Sequence, residues 1–257
     1  MKSEQQVEAA VKSYEDVDSW KTVIFLYNAA LKEVGTKLEI LNDEFQHVHQ
    51  YNPIEHIKTR IKTPESIVKK LKRYGYETSI ENMVRYINDI AGVRLICSFT
   101  SDIYRLAEMI GNQSDLKVLS IKDYIKNPKE SGYKSYHMLL SIPVALGDAK
   151  VPTKVELQIR TMAMDFWASL EHKIYYKFEG NAPDYISRDL RECAKMVSEL
   201  DEKMLQLNEA IQECILKESD RERLEGVCRD VIGSREEQKL MSAESAAEDP
   251  KKEDQKG

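Results

Sequence analysis

The sequence predicts an α+β fold in which a mixed β-sheet of four or five strands is flanked by helices, with a long helix towards each end. Three observations carry this prediction. Residues 154–160 alternate strictly between polar and apolar side chains, as a strand with one buried face does. Residues 91–99 form a short apolar run typical of a buried strand. Several other stretches repeat their apolar residues with a period near 3.6, which is typical of amphipathic helices.

The predicted elements begin with an amphipathic helix from Ser19 to about Tyr51. A second helix is marked at both ends, because Thr63 suits its N-cap, Pro64 its first position and Gly75 its stop. The patterns then predict a short helix at about 80–88, a strand at 91–99, a helix at about 101–112, strands at about 116–121, 136–144 and 152–160, and helices at about 161–178 and 183–218. The apolar residues of the last helix suit either packing on its own domain or an oligomer contact.

Composition sets the limits of the domain and its compartment. We expect an N-terminal extension at 1–18, one domain at 19–218, and a charged, disordered tail at 219–257. The net charge of −6 argues against bulk electrostatic binding to nucleic acid or to an anionic membrane. The start of the chain lacks the apolar core of a signal peptide, and no stretch reaches the roughly 20 apolar residues of a membrane span. Four cysteines without CxxC spacing fit reduced thiols in the cytoplasm.

A basic cluster surrounds the second predicted helix, with seven basic residues against one acid between Lys58 and Arg73. Ser66, Lys70 and Arg73 fall on one helical face, and Arg60 and Lys62 precede the helix. With the positive end of the helix dipole, this arrangement suits a polyphosphate. The alternative is a solvated basic surface, which is what most charge runs are.

Two charged residues stand at the start of the predicted buried strand. Asp89 precedes it, where a carboxylate can hold a metal ion, and Arg94 lies inside it, where a guanidinium needs an anion or an aromatic face. A plain ion pair between Asp89 and Arg94 is the alternative interpretation.

The segment from Glu130 to His137 offers an aromatic ring, a base, hydroxyls and a histidine, which suits a nucleotide base and its phosphates. A structural role for His137 is the alternative, since its strand is otherwise apolar on alternate positions. The strand at 154–160 then places Glu156 and Gln158 on its polar face.

Four motifs in this order resemble those of the (p)ppGpp synthetase domain of RelA/SpoT proteins, and in particular the small alarmone synthetases. They are Asp89-Ile-Ala-Gly-Val-Arg94, Ser131-Gly-Tyr-Lys-Ser-Tyr-His137, Val155-Glu-Leu-Gln-Ile-Arg-Thr161 and Ala163-Met-Asp-Phe-Trp-Ala-Ser-Leu-Glu-His172. The resemblance covers residues 20 to about 215. It implies a nucleotidyltransferase-like fold that transfers the β,γ-pyrophosphate of ATP to the ribose 3′-hydroxyl of GDP or GTP and releases AMP.

The resemblance also implies roles for individual residues. Asp89 and Glu156 would hold Mg²⁺, Glu156 would help to take the proton of the attacking hydroxyl, and Gln158 would lie beside the reacting groups. Arg60 and Arg94 would sandwich the adenine, and the ATP phosphates would be held by Lys62, Ser66, Lys70 and Arg73. Tyr133 would stack on guanine, with Lys134 and His137 near the 5′-phosphates of the acceptor. Asp165 belongs to the same acceptor site, and stands where some relatives have Asn.

The resemblance further implies a homotetramer, and it leaves open regulation by an alarmone or by single-stranded RNA. Three alternatives remain at this point: a toxin-type relative that modifies adenosine nucleotides or tRNA, an inactive nucleotide- or RNA-binding module, and a helical assembly protein. The two retained carboxylates argue against the binding module, and the polar strand has no explanation in the assembly protein.

Overall fold

The structure of the protein is a computed structural model, which describes residues 20–177 and 183–247. The predicted N-terminal extension at 1–18 and the last ten residues lie outside these ranges. In chain order the elements are α1 (Trp20–Val48), β1 (Ile54–Ile61), α2 (Pro64–Arg73), α3 (Ile80–Tyr86), β2 (Ala91–Cys97), α4 (Thr100–Gly111), β3 (Lys117–Asp123), β4 (Tyr136–Leu146), β5 (Ala149–Thr161), α5 (Met162–Lys177) and α6 (Asp184–Ala247).

The five strands form one mixed sheet in the order β1-β2-β5-β4-β3. Strand β2 runs parallel to β5, and the other neighbouring pairs are antiparallel. This confirms the predicted α+β class and the mixed sheet. The central position of β5 explains why its alternation is so regular: it has a neighbour on both sides and a different environment on each face.

The edge strand β1 was not predicted. Sequence patterns placed Arg60 and Lys62 only in the segment before α2, whereas Arg60 lies within β1 and Lys62 directly follows it. Most side chains of β1 are exposed, and only Ile54 is buried. An edge strand with so little burial shows no polar–apolar alternation, and so it lacks the main sequence signal of a strand.

One face of the sheet carries the hydrophobic core. Val155, Leu157 and Ile159 of β5 are fully buried, and α1 packs across β1, β2, β4 and β5 with its apolar stripe inward. Each fully buried side chain of this size contributes roughly 1.5–3 kcal/mol. The opposite face is left to the polar side chains of the same strands, so the alternation of β5 separates the core from a polar surface.

Helix α6 runs to Ala247, where the sequence predicted a disordered tail from residue 219. The tail prediction is wrong for 219–247, because the Ala, Glu, Lys and Arg that made the segment look disordered are also strong helix formers. By contact the chain divides into two compact units, the first ending at Leu205 and the second beginning at Gln206. The sheet and the site described below belong to the first unit.

Within the first unit, some apolar residues of α6 pack on their own domain and others are exposed. Ala194 is buried with Trp167 of α5, and Leu190 and Val197 pack against them. Met196, Leu200 and Met204 are exposed. None of the helices in the described ranges is long and apolar enough to cross a membrane.

Candidate active site

The polar face of the sheet collects the functional side chains that the sequence singled out. Strand register aligns them in two rows across β1, β2, β5 and β4. One row is Lys58, Arg94, Gln158 and His137, and the next contains Arg60, Gly92 and Glu156. Four separate sequence motifs therefore meet on one surface.

Asp89 lies just before β2 and is almost fully buried. Its two oxygens accept hydrogen bonds from different lysines, Oδ2 from Lys62 Nζ at 2.9 Å and Oδ1 from Lys70 Nζ at 2.7 Å. Burial alone would raise the pKa of Asp89, but the hydrogen bonds and charges of Lys70 and Lys62 outweigh it, so the pKa is lowered. The carboxylate is therefore ionised. The alternative interpretation of an Asp89–Arg94 ion pair is wrong, because Asp89 pairs with Lys62 and Lys70 while Arg94 pairs with Asp165.

Glu156 is held in the middle of the same face. Its Oε2 accepts a hydrogen bond from Gln158 Nε2 at 2.8 Å, and its Oε1 is 3.6 Å from His137 Nδ1. Burial pushes the pKa of Glu156 up, while His137 and Gln158 bring it below its ordinary value. The charge of Asp89 opposes this effect, so the two carboxylates lie close enough to interact.

Asp165, at the start of α5, is the anion that Arg94 needs. Its Oδ1 lies 3.0 Å from Arg94 Nη1 in an ion pair and accepts a hydrogen bond from Arg160 Nη1 at 3.1 Å. Lys58 Nζ lies 3.7 Å from the other oxygen. One buried carboxylate thus balances two guanidinium groups that come from neighbouring strands.

Arg160 connects this carboxylate to Tyr133 and to Gln158. Its Nη2 donates to the Tyr133 hydroxyl at 2.6 Å and to Gln158 Oε1 at 2.8 Å. The Tyr133 hydroxyl is also 2.9 Å from His137 Nε2. A continuous polar chain therefore runs from Arg94 through Asp165, Arg160 and Tyr133 to His137.

Beside this chain an open cleft crosses β1, β2 and β5. Arg60 and Arg94 both line it, and Gly92 lies between them with no side chain to fill the floor. Glu156 and Gln158 border the same cleft. A planar group between the two guanidinium groups would therefore have its attached groups within reach of the carboxylate.

The other predicted site residues are placed less directly. Ser66 contacts Thr63, the N-cap of α2. The backbone N–H of Ser66 donates to Thr63 Oγ1, and the Thr63 hydroxyl donates to Ser66 Oγ. Arg73 is exposed and lies over the ring of Tyr74 at 5.4 Å. Lys134 lines a groove against α6. Burial raises the pKa of Asp201 on that helix, and the charge of Lys134 partly opposes this rise.

Four basic residues to which the sequence analysis gave no individual role lie at the site, although one of them, Lys58, was already counted in the basic cluster. Lys58 approaches Asp165, and Lys122 is the β3 register partner of His137. Lys129 lies over the rings of Tyr124 and Tyr133, at 4.8 and 4.7 Å. Arg160 stands on the polar face of the alternating strand, which was the available signal for it. The other three depend on register and loop conformation, which the sequence pattern does not reveal.

The donor set at Asp89 and Glu156 fits a hard divalent cation. Carboxylate oxygens are its preferred ligands, and a cation of this kind commonly takes one or two carboxylates and completes its shell with substrate phosphates. In the described part of the chain, no cluster of three or more His, Cys, Asp or Glu side chains has metal-binding geometry.

Comparison with known proteins agrees with this geometry. The family described as "Region found in RelA / SpoT proteins" matches residues 59–181. GTP pyrophosphokinase YwaC of Bacillus subtilis is 46% identical over 195 residues, which cover 76% of this chain and 93% of YwaC. GTP pyrophosphokinase YjbM of the same organism is 35% identical over 199 residues, covering 77% and 92%.

Two solved structures extend the similarity to the fold. Small alarmone synthetase 2 of Bacillus subtilis has a TM-score of 0.68 at 46% identity, over 74% of this chain and 98% of that one. Small alarmone synthetase 1 of Bacillus subtilis, bound to its product pppGpp, has a TM-score of 0.71 at 33% identity, over 75% and 97%. The chain therefore belongs to the RelA/SpoT family, in its group of small alarmone synthetases.

Proposed function

We propose that this protein is a GTP pyrophosphokinase, which transfers the β,γ-pyrophosphate of ATP to the 3′-hydroxyl of GDP or GTP and makes (p)ppGpp for stringent-response signalling. The new bond joins the 3′-oxygen to the β-phosphorus. The bond from that phosphorus to the α,β-bridging oxygen breaks, and AMP leaves with the oxygen. The observation that carries the proposal is the pair of ionised carboxylates Asp89 and Glu156, which lie close enough for their charges to interact; Glu156 borders the cleft lined by Arg60 and Arg94.

The cleft between Arg60 and Arg94 is assigned to adenine, because a guanidinium group stacks well on a planar base. Lys62 and Lys70 are assigned to the ATP phosphates, which would compete with Asp89 for their ammonium groups. Ser66 at the N-terminus of α2 and Arg73 at its far end complete the proposed phosphate set. Of these two, Ser66 is the better supported, since Arg73 now contacts Tyr74.

The acceptor nucleotide is assigned to the Tyr133 loop. Tyr133 offers its ring to guanine, and His137 lies between that hydroxyl and Glu156. Lys134 and Asp165 belong to the proposed acceptor site as well. Asp165 acts through the guanidinium groups that it holds.

Glu156 is the proposed base for the 3′-hydroxyl proton, because its lowered pKa keeps it ionised and Gln158 fixes its orientation. Asp89 and Glu156 would together hold the divalent metal, proposed to be Mg²⁺. When bound, the metal would neutralise charge on the phosphates. The remaining work is positioning by the side chains named above.

Assembly and compartment are parts of the same proposal. The exposed apolar residues Phe25 and Ile40 of α1, and Met196 and Leu200 of α6, are available for contacts between copies in a homotetramer. Cys97, Cys193 and Cys214 are free thiols, which supports a cytoplasmic location.

The decisive experiment incubates the protein with ATP, Mg²⁺ and one acceptor at a time: GDP, GTP, an adenosine nucleotide or a tRNA. We expect AMP release and a 3′-pyrophosphorylated product with GDP or GTP. Product only with adenosine nucleotide or tRNA would favour a toxin-type enzyme, and no AMP with any acceptor would favour a binding module.

The Glu156→Gln variant tests the assignment of the base. We expect transfer to fall by at least about 10³-fold, because the variant loses both a proton acceptor and a metal ligand. Binding of ATP, measured by calorimetry, should change much less. Glu108→Gln on the exposed surface of α4 makes the same chemical change away from the site and should retain activity.

A further inference from the structure

Lys154 is a buried lysine on the strand that carries Glu156, two positions before it, and the proposed reaction gives it no part. Only 7% of the residue is exposed. Its ammonium group donates to Asn88 Oδ1 at 2.7 Å and to the carbonyl of Arg85 at 3.3 Å. Burial lowers its pKa to about 8.

Both acceptors of Lys154 lie on the segment that leads into Asp89. Arg85 is in the last turn of α3, where backbone carbonyls lack helical partners and attract a cation. Asn88 is the immediate neighbour of Asp89. A buried ammonium group is costly unless it is well bonded, and at this position an apolar side chain would fill the same space without that cost. The hydrogen bonds of Lys154 to Asn88 and Arg85 are therefore what offsets the cost of burying its charge.

The position of Asp89 relative to Glu156 is not fixed by the sheet. The ladder between β2 and β5 begins with Gly92 opposite Glu156, so Asp89 lies outside it. Three bonds reach this segment from the β1 side. The N–H of Lys62 donates to the carbonyl of Ile90 at 2.8 Å, and the ammonium groups of Lys62 and Lys70 reach the Asp89 carboxylate. If those two ammonium groups turn to the ATP phosphates, Asp89 loses them as partners.

We propose that Lys154 is a positioning residue, which ties the Asn88–Asp89 segment to β5 and so sets the separation of the Asp89 and Glu156 carboxylates for the divalent metal. The proposal rests on the function proposed above. The link runs from Asn88 through the Lys154 side chain to a backbone position two residues from Glu156, and it involves neither carboxylate. It therefore stays in place when the substrate takes Lys62 and Lys70.

A double-mutant cycle between Lys154→Met and Asn88→Ala tests the link. Lys154→Met keeps the length of the side chain and removes the donor, and Asn88→Ala removes the acceptor from an exposed residue. We expect each variant to raise the Mg²⁺ concentration for half-maximal activity, at saturating nucleotides, by about tenfold or more. The double variant should be no worse than the poorer single one, because the two changes remove the same contact. Lys150→Met, exposed on the same strand, should behave as the wild type.

Amide hydrogen exchange gives a readout that does not need activity. In protein free of metal and nucleotide, both variants should lose protection at residues 88–90 and keep it in β4 and β5. Wild-type exchange and wild-type Mg²⁺ dependence in Asn88→Ala, or multiplicative effects in the double variant, would overturn the proposal. If Lys154→Met does not fold, Asn88→Ala still decides the question. Failure of the proposed function would instead appear as a wild-type protein without transfer, in which the exchange result stands by itself.

Discussion

At the scale of single residues, Tyr133 has two separable parts. Its ring is the proposed platform for guanine, and its hydroxyl bonds Arg160 and His137 at 2.6 and 2.9 Å. The ring provides binding to a base, and the hydroxyl holds together the side chains that surround the reacting groups. Different substitutions at one position therefore test different steps.

Tyr133→Phe keeps the ring and removes the hydroxyl. We expect a lower kcat with little change in the KM for GDP, because stacking is intact while His137 and Arg160 lose a partner. Tyr133→Ala removes both parts. We expect the KM for GDP to rise by about tenfold or more, since stacking on an aromatic ring is worth roughly 1–3 kcal/mol per base, with a smaller change for ATP.

Steady-state kinetics with each substrate varied in turn measure both variants. Equal effects of Tyr133→Ala on the two KM values would remove the assignment of this ring to the acceptor. A raised KM for GDP in Tyr133→Phe would mean that the hydroxyl, rather than the ring, binds the nucleotide.

At the scale of elements, the loop that carries Gly132 and Tyr133 is positioned by helix α6. Gly132 has φ +89°, and a Cβ built there would lie 2.5 Å from the Cβ of Ala194 on α6. The glycine therefore allows both a left-handed backbone and a close approach between loop and helix. Residues on α6, far along the chain from the loop, set the place of Tyr133.

Gly132→Ala should displace this loop. The positive φ costs about 1–2 kcal/mol for a residue with a Cβ, and the clash with Ala194 adds to it. We expect a raised KM for GDP and a lower melting temperature. Gly147→Ala is the matched control, because Gly147 has φ +58° with nothing within 4 Å of its added Cβ. It should lose stability from backbone strain alone and keep its KM; equal KM effects in both variants would contradict the role of the α6 contact.

The same helix contacts β5 through a titratable group. Asp201 is buried, and its Oδ2 accepts from the Thr161 hydroxyl at 2.7 Å. Burial raises the pKa of Asp201, and the bond from Thr161 only partly opposes this. Because the folded pKa lies above the unfolded one, the stability linked to this proton is present below the unfolded pKa of about 3.9 and is lost as the pH rises through the folded pKa.

Asp201→Asn keeps an acceptor for Thr161 and removes the charge. We expect its melting temperature, relative to the wild type, to rise as the pH increases from about 4, the region of the unfolded pKa, through the raised pKa of Asp201 in the folded protein. Thermal unfolding across this range measures the difference. A difference that is constant with pH would show that Asp201 does not titrate in this way.

At the scale of the whole molecule, the sequence predicts the features that neighbouring residues encode. The alternation around Glu156 and the caps of α2 come from neighbouring residues, and the structure places both as expected. Strand β1 was missed because an exposed edge leaves no alternation. Helix α6 was cut short because charged, Ala-rich composition suits both a helix and a disordered chain.

The partners of charged groups could not be predicted, because they depend on which strands become neighbours. The sequence offered Asp89 only as an alternative anion for Arg94, because the two are close along the chain. The parallel pairing of β2 with β5 instead brings Arg94 beside Arg160, and Asp165 serves them both. The resemblance to a family predicted residues for the site, while the sheet determines which of them lie together.

Sharing of Asp165 has a consequence for the binding of two substrates. Arg94 lines the proposed ATP cleft, and Arg160 holds the Tyr133 hydroxyl. If adenine draws Arg94 towards itself, Asp165 keeps Arg160 and the more distant Lys58, which strengthens the pair with Arg160 and fixes Tyr133 for guanine. ATP and GDP should therefore each raise the affinity of the enzyme for the other, and by linkage the factor is the same in both directions.

Asp165→Asn should remove this coupling, because a neutral amide does not hold two guanidinium groups by charge. Calorimetric titration of GDP, with and without a non-hydrolysable ATP analogue, measures the factor. We expect about fivefold or more in the wild type, within the usual range of such couplings, and a factor near one in the variant. Asp148→Asn, an exposed residue at the β4–β5 hairpin, makes the same change in charge and should leave the coupling intact. Among the described carboxylates, only Asp165 pairs with both Arg94 and Arg160. If the Asp165→Asn variant folds, binds both nucleotides and keeps the wild-type coupling, the coupling between the two substrates does not depend on this shared carboxylate.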